Sequence, residues 1–432
     1  MKNGKLNIAI LMLISIAFLL LAYNKGMNED INGDFYIYYK GGKDFSENKP
    51  IYTLGLKDGG FTYPPFAAMF FSAFSFFPFH ISAILFCYII NFILWGYSFF
   101  LLYKISKELF PAKNCTVPLL LAFLCSARFY WHNFIWVQAN LIVLNTTLFG
   151  ILYYLRGRYN LSYLFFLAGC FLKIIPVIFL ICIALKRGYK DWGRIILLSL
   201  PFIIVPFIFR GLERGIGDWV DYYNAFIRPF ARGQIDGDLI SMGIPSFLTK
   251  LNTGNDSLGI SPSLRLTQYN LELLIRVIQV LLLSGFFGRV IYRILKHKDK
   301  AFTGVDFCFM FLISLLIPGR VWEHHHVSTS FIYLYLFASL RFEGYKKTKY
   351  TVLTFCVFIG VIGTDTIGGT LYDFSQFYCF ITILMIIISV ILLVSKTTIP
   401  FAQFNETKGL IKEGEQNRQL NVTKMKILLG LS

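Results

Sequence analysis

Runs of about 20 apolar residues recur along almost the whole chain, and this constrains the fold more than any other feature. A run of that length suits a helix crossing a bilayer, so the expected class is all-α: a polytopic membrane protein. Twelve candidate spans can be marked, several of them short: 6–23, 80–103, 116–128, 134–155, 160–172, 176–186, 192–209, 266–295, 303–317, 325–341, 349–364 and 376–395. Phe66–Pro78 is apolar but short and bracketed by prolines, which suits an interfacial or re-entrant helix. Composition agrees: 15% of residues are charged, against about a quarter in soluble domains.

The net charge of +17 would suggest nucleic acid in a soluble protein. Here most of it sits in short loops, so membrane topology explains it and no nucleic-acid partner is expected. With both termini cytoplasmic, Lys104/Lys107/Lys113, Arg156/Arg158, Lys186/Arg187/Lys190/Arg194, Arg293/Lys296/Lys298/Lys300 and Arg341/Lys346/Lys347/Lys349 all fall on the inner side. That requires 159–185 to be a hairpin of two short helices with Lys173-Ile174-Ile175-Pro176 at its outer tip. The loops 24–79 and 210–265, an Arg128–Asn133 turn, the Lys173 tip and an Arg320–His326 turn then share the outer face. The first segment, Leu6–Tyr23, is taken as a retained helix, since no small-residue cleavage site precedes Asn24. Residues 1–395 form the membrane domain and 396–432 a polar cytoplasmic tail. The eight cysteines are scattered without metal-ligand spacing and suit small core positions.

The unusual polar residues cluster in a few places. Gly33–Pro65 opens on Asp34 among Phe35, Tyr36, Tyr38 and Tyr39 and closes on Tyr63-Pro64-Pro65. A carboxylate lodged among rings is partly desolvated and able to act as a base, although an acid at a helix end can also simply be solvated. Asp44, Glu47 and Asp58 have more polar neighbours and are expected to be solvated. Ile317–His326 (IPGRVWEHHH) gathers half of the six histidines beside Arg320 and Glu323. Three adjacent histidines without i, i+4 spacing make a poor zinc set; a cationic or hydrogen-bonding cluster for an anion fits better, with a plain polar turn as the alternative. Lys173 either snorkels to the headgroups or faces a cavity as a phosphate ligand. Gln138 and Asn140, two amides at the start of a span, need partners, which are a sugar's hydroxyls or a neighbouring helix. The loop 210–265, rich in Gly, Arg, Asp and aromatics, looks like a cap over a cavity; Asp236 and Asp238 in it are expected to be solvated.

The acid-led loop ending in FTYPP, the later QAN, the LKIIP hairpin and the PGRVWEHH turn together resemble glycosyltransferase family 87. The resemblance covers about 25–345, most specifically 33–65, 136–180 and 317–326. It implies a GT-C-type membrane mannosyltransferase using a polyprenyl-phosphate sugar, with Asp34 as the catalytic aspartate and His324 or His325 as the histidine of the turn. The family often shows GQxN, where this chain has Val137 in place of the glycine, and His326 is extra. The expected activity is inverting transfer of a hexose, mannose by the resemblance, to a lipid- or glycan-linked acceptor at the outer face of the cytoplasmic membrane. Asp34 is the base; Lys173, Arg320, His324, His325, Gln138, Asn140 and Tyr63 bind the donor's phosphate and sugar; no metal or other cofactor is expected. Two rivals stand beside it. A lipid-linked sugar flippase should carry ionisable groups deep in its spans and an internal repeat; here the ionisable groups cluster at one face and no repeat is visible. A polysaccharide polymerase or ligase would use loop arginines such as Arg210, Arg214, Arg228 and Arg232.

Overall fold

The computed structural model describes residues 34–53, 60–231, 238–296, 302–339 and 346–394, with Ile16 and Leu20. Most of the expected span 6–23, the tail 396–432, Asp58, Asp236 and Arg232 lie outside the described residues. Within them the chain is all-helical, with one isolated bridge between Asn255 and Ile260. In order the helices are α1 Asp34–Ser46, α2 Pro65–Ser72, α3 Phe79–Leu109, α4 Thr116–Ile135, α5 Asn140–Leu155, α6 Tyr159–Leu172, α7 Val177–Arg187 and α8 Tyr189–Arg210. There follow α9 Leu212–Tyr222, α10 Ile244–Thr253, α11 Gln268–Lys296, α12 Gly304–Leu316, α13 Thr329–Ser339, α14 Lys346–Val361, α15 Gly369–Phe377 and α16 Phe380–Val394.

Among the described residues three helices, α3, α8 and α11, are long and apolar enough to cross a membrane, or four if the bent pair α15–α16 is one span. The other expected spans, several of them marked as short in the sequence, are shorter helices here or lie partly outside the described residues. Several expected spans, among them α5, α6 and α12, are apolar helices of 10–17 residues. At 1.5 Å per residue these cover less than the roughly 30 Å hydrocarbon core when they stand alone. The long helices turn large apolar side chains outward, as with Leu197 at 66% and Leu281 at 65% exposed, the pattern of a lipid-facing surface. α5, α12 and α13 are mostly buried and form the middle of the bundle.

The hairpin expected over 159–185 is present. Phe166 and Phe179 lie on either side of the break at Lys173–Pro176, and their rings stack at 5.3 Å. One continuous helix would hold them roughly 20 Å apart. The turn expected at Arg128–Asn133, by contrast, is helical: α4 runs on to Ile135 and the chain breaks at Trp136–Ala139 instead. The polar residues 128–133 resemble a loop in sequence, but Arg128 is paired with Glu323 from the distant turn, and the Asn133 amide reaches only the nearby Gln138 carbonyl (3.4 Å).

Candidate active site

α1 carries Asp34 in its first turn, where a carboxylate meets the positive end of the helix dipole. Gly42 lets this helix lie against the backbone of α2, because a Cβ there would come within 2.5 Å of the Phe71 carbonyl carbon. The far end of α1 is clamped by Arg210. Its guanidinium donates to the carbonyls of Asp44 (3.1 Å), Phe45 (2.9 Å) and Lys49 (2.7 Å), and its charge is matched by Asp218 (3.0 Å). Asp44, expected to be solvated, is buried and paired with Lys40, while Glu47 stays near solvent beside Lys49.

Asp34 opens onto a cavity of about 750 Å³. Tyr63, Lys173, Arg320, His324 and His325 line the same cavity, so six of the eight residues singled out in the sequence converge on it. Gln138 and Asn140 stand behind them as supports. The Gln138 amide nitrogen donates to Asp34 Oδ2, and its Oε1 accepts from Tyr38 (3.0 Å), which in turn meets the Tyr63 hydroxyl (3.0 Å). Asn140 Oδ1 accepts from Lys173 Nζ at 2.8 Å. The break at 136–139 creates this arrangement. It leaves the Gln138 carbonyl to accept from Asn91 (3.0 Å), and it bends the chain through Val137 at φ +49°. A β-branched residue is strained there, and glycine is the residue that conformation favours.

The opposite side of Asp34 is the 317–325 turn. Its backbone is braced from the segment around α10 and from α11: Gln279 donates to the Ile317 carbonyl (2.9 Å), Ser246 to that of Gly319 (3.0 Å), and the Met242 N–H to that of Val321 (2.6 Å). Gly243 is required at this contact, since a Cβ would meet the Pro318 oxygen at 2.3 Å. The three histidines diverge. His324 and His325 face the cavity, whereas His326 is buried against Phe129 (5.4 Å). His325 Nδ1 accepts the Trp322 N–H at 2.8 Å, which puts the neutral ring's proton on Nε2. Behind the turn Glu323 is buried among Arg128, His132 (2.6 Å) and the Gln376 amide.

Burial raises the pKa of Asp34 above the ordinary carboxylate value, against the lowering pull of Lys173, Arg320 and the Gln138 hydrogen bond. Burial also pushes Lys173 down to about 7, opposed by Asp34 and reinforced by Arg320. His324 and His325 are held well below the usual imidazole value by burial first and by Lys173 next. They are therefore neutral hydrogen-bonding groups near pH 7, not the cations that the sequence also allowed. Among the described residues no three His, Cys, Asp or Glu side chains form a metal-ligand set.

Two parts of the site escaped the sequence. Glu323 was visible only as a member of the turn, and its partners Arg128, His132 and Gln376 are brought to it by folding. Glu272, Arg276 and Gln279 also line the cavity; their i, i+4, i+7 spacing on a long apolar helix was the available signal. Of the loop arginines, Arg210 is consumed in the clamp on α1 and Arg214 pairs with the same Asp218 at 3.6 Å. Neither lines the cavity, nor does Arg228.

An acid held by an amide, with a lysine and an arginine lining the same mostly apolar chamber among apolar helices, is the arrangement of a membrane protein with a buried polar site. A sequence model of glycosyltransferase family 87 matches residues 61–318, more than half of the chain. The protein belongs to that family and is a glycosyltransferase. Asp34 and the stretch from Gly319 to His326 lie outside the matched segment and join it through the fold. No curated protein matches the chain.

Proposed function

We propose that the protein transfers a hexosyl unit, mannose as the family resemblance suggests, from a polyprenyl-phosphate donor to a hydroxyl of a lipid- or glycan-linked acceptor. The reaction belongs at the outer face of the cytoplasmic membrane, with both termini cytoplasmic and a GT-C-type arrangement of helices. The placement of Asp34 in one cavity with Lys173 and Arg320 carries this reading. With Oδ2 held by Gln138, Asp34 takes the acceptor's proton on Oδ1 as the acceptor oxygen bonds to the anomeric carbon. The bond from that carbon to the phosphate oxygen breaks on the opposite face, inverting the centre. Lys173 and Arg320 compensate the charge that gathers on the departing polyprenyl phosphate. His324, His325 and Tyr63 supply neutral hydrogen bonds to the sugar and phosphate. Ile174, Ile175, Val177, Ile178, Phe226 and Ile227 give the lipid an apolar wall.

Of the arginines the polymerase reading would use, Arg210 is taken up in the clamp on α1, Arg214 pairs with Asp218, and neither these nor Arg228 lines the cavity. A flippase gains nothing from a carboxylate held beside two cations.

The test is transfer from radiolabelled polyprenyl-phosphate-mannose by membranes carrying wild type or Asp34→Asn. The amide keeps the shape and cannot take the proton, so the rate should fall about 10²–10⁴-fold with donor binding retained. Undiminished transfer by the variant would remove Asp34 from the chemistry.

A further inference from the structure

The cavity has a second polar wall. Glu272, Arg276 and Gln279 lie on α11 at i, i+4, i+7 and line the chamber that Asp34 lines. On a helical wheel they occupy an arc of roughly 60°. To one side of that arc are the packed residues Leu271 (2% exposed) and Ile275 (1%). To the other are the outward apolar residues Leu273, Val277, Val280 and Leu281. The polar stripe therefore sits at the seam between the bundle and the lipid-facing surface. The stripe begins about one turn into α11, at the cavity end of an otherwise apolar helix, where ionisable groups that line a cavity suit a polar ligand.

Each group has chemistry to offer. Glu272 accepts from Gln268 at 2.9 Å through one oxygen and lies 3.9 Å from Arg276 through the other, with side chains 36% and 57% exposed. Gln279 gives its N–H to the Ile317 carbonyl and so ties this wall to the Arg320 turn. Lys173 and Arg320 both act electrostatically on Asp34, and the donor phosphate belongs with them. Carboxylate, guanidinium and amide groups at one face are the usual partners of vicinal sugar hydroxyls, which both donate and accept.

Building on the activity proposed above, we infer that Glu272 and Arg276 form the acceptor subsite, binding the hydroxyls of a carbohydrate on an amphiphile that enters from the lipid-facing seam beside α11. The acceptor's reacting hydroxyl is thereby presented to Asp34 across the cavity. Water needs no such subsite, so hydrolysis of the donor and transfer to a sugar separate the two walls.

The experiment uses full-length protein in nanodiscs, radiolabelled polyprenyl-phosphate-mannose, and a panel of octyl α-mannoside, octyl glucoside and octyl galactoside, each kept below its micelle-forming concentration. Release of label to water and to each octyl glycoside are measured together for wild type, Glu272→Gln, Arg276→Gln and Asp34→Asn. The α11 variants should raise the octyl-glycoside KM about tenfold, the loss of one charged hydrogen bond, with donor KM and hydrolysis unchanged. A rise in donor KM would reassign the wall to the donor, and unchanged transfer would show that the wall contacts neither substrate. Wild type that hydrolyses the donor but glycosylates none of the panel refutes a carbohydrate subsite. If wild type neither hydrolyses nor transfers, the proposed donor itself is wrong.

Discussion

Lys173 offers the sharpest test of the site. Its ammonium donates to Asn140 and sits 5.6 Å over the Tyr63 ring, in a cavity whose burial brings its pKa to about 7. A lysine is cationic below its pKa, so the free enzyme presents this charge at low pH and loses it as pH rises through about 7. By about pH 9 roughly 1% of the free enzyme keeps the cation, so donor kcat/KM should fall roughly a hundredfold below its plateau. The acid side is limited in the opposite sense by Asp34, which is a base only when ionised and whose pKa burial has raised. The profile is a bell. Bound donor phosphate favours the ammonium, so the basic limb of kcat lies above that of kcat/KM. Lys173→Arg keeps the charge at every accessible pH and should abolish the basic limb, at a lower plateau because the fork cannot reproduce the bond to Asn140. Lys173→Met should lie low throughout, about a hundredfold down. The assay is transfer at subsaturating donor across the pH range, with folding checked at each pH. An unchanged basic limb in Lys173→Arg would refute the assignment.

Three further outcomes follow from the supports around the site. Gln138→Leu removes a hydrogen bond that favours the Asp34 carboxylate; at about 1.5–3 kcal/mol for a bond to a charge, the acid limb should move up by about one to two pH units. A pH–rate profile checks the sign, and a downward or absent shift would break the link from Gln138 to Asp34. Arg210→Met uncaps α1 and leaves buried Asp218 only its longer pair with Arg214 (3.6 Å), and should cost about 3 kcal/mol, visible as a drop in thermal stability together with activity. Val137→Gly loses a buried side chain but relieves a left-handed backbone, so the terms offset to within about 1 kcal/mol. Val143→Gly, buried in a regular helix, has no such relief and should cost about 3 kcal/mol; equal losses at the two positions in thermal melts would argue against strain at Val137.

Apolar periodicity and loop chemistry carried the sequence a long way, for reasons that are local. A run such as 189–210 has few alternatives to a helix, and Lys173 followed by Pro176 interrupts an apolar stretch whatever its neighbours are. The candidates Asp34, Lys173, Arg320, His324 and His325 stood out because polar groups are rare and costly in such a chain. What failed was also local in form. Arg128–Asn133 looks like a turn because its polarity carries no information about Glu323, 190 or more positions away, whose carboxylate makes the helix affordable. Span number could not be read from hydropathy alone, since a half-length helix packed on neighbours and a full crossing share the same apolar signature.

By itself, the sequence determined that the chain is helical and apolar, where its polar residues are concentrated, and which family it resembles. Those properties depend on composition and short spacing. Only the tertiary structure decided that Gln138 grips Asp34, that Asn140 holds Lys173, that His326 turns away, and that α11 supplies the cavity's other polar wall. Each of these rests on contacts between residues about 30 to more than 200 positions apart. Contacts at that range arise from packing many helices at once, and no local pattern encodes them.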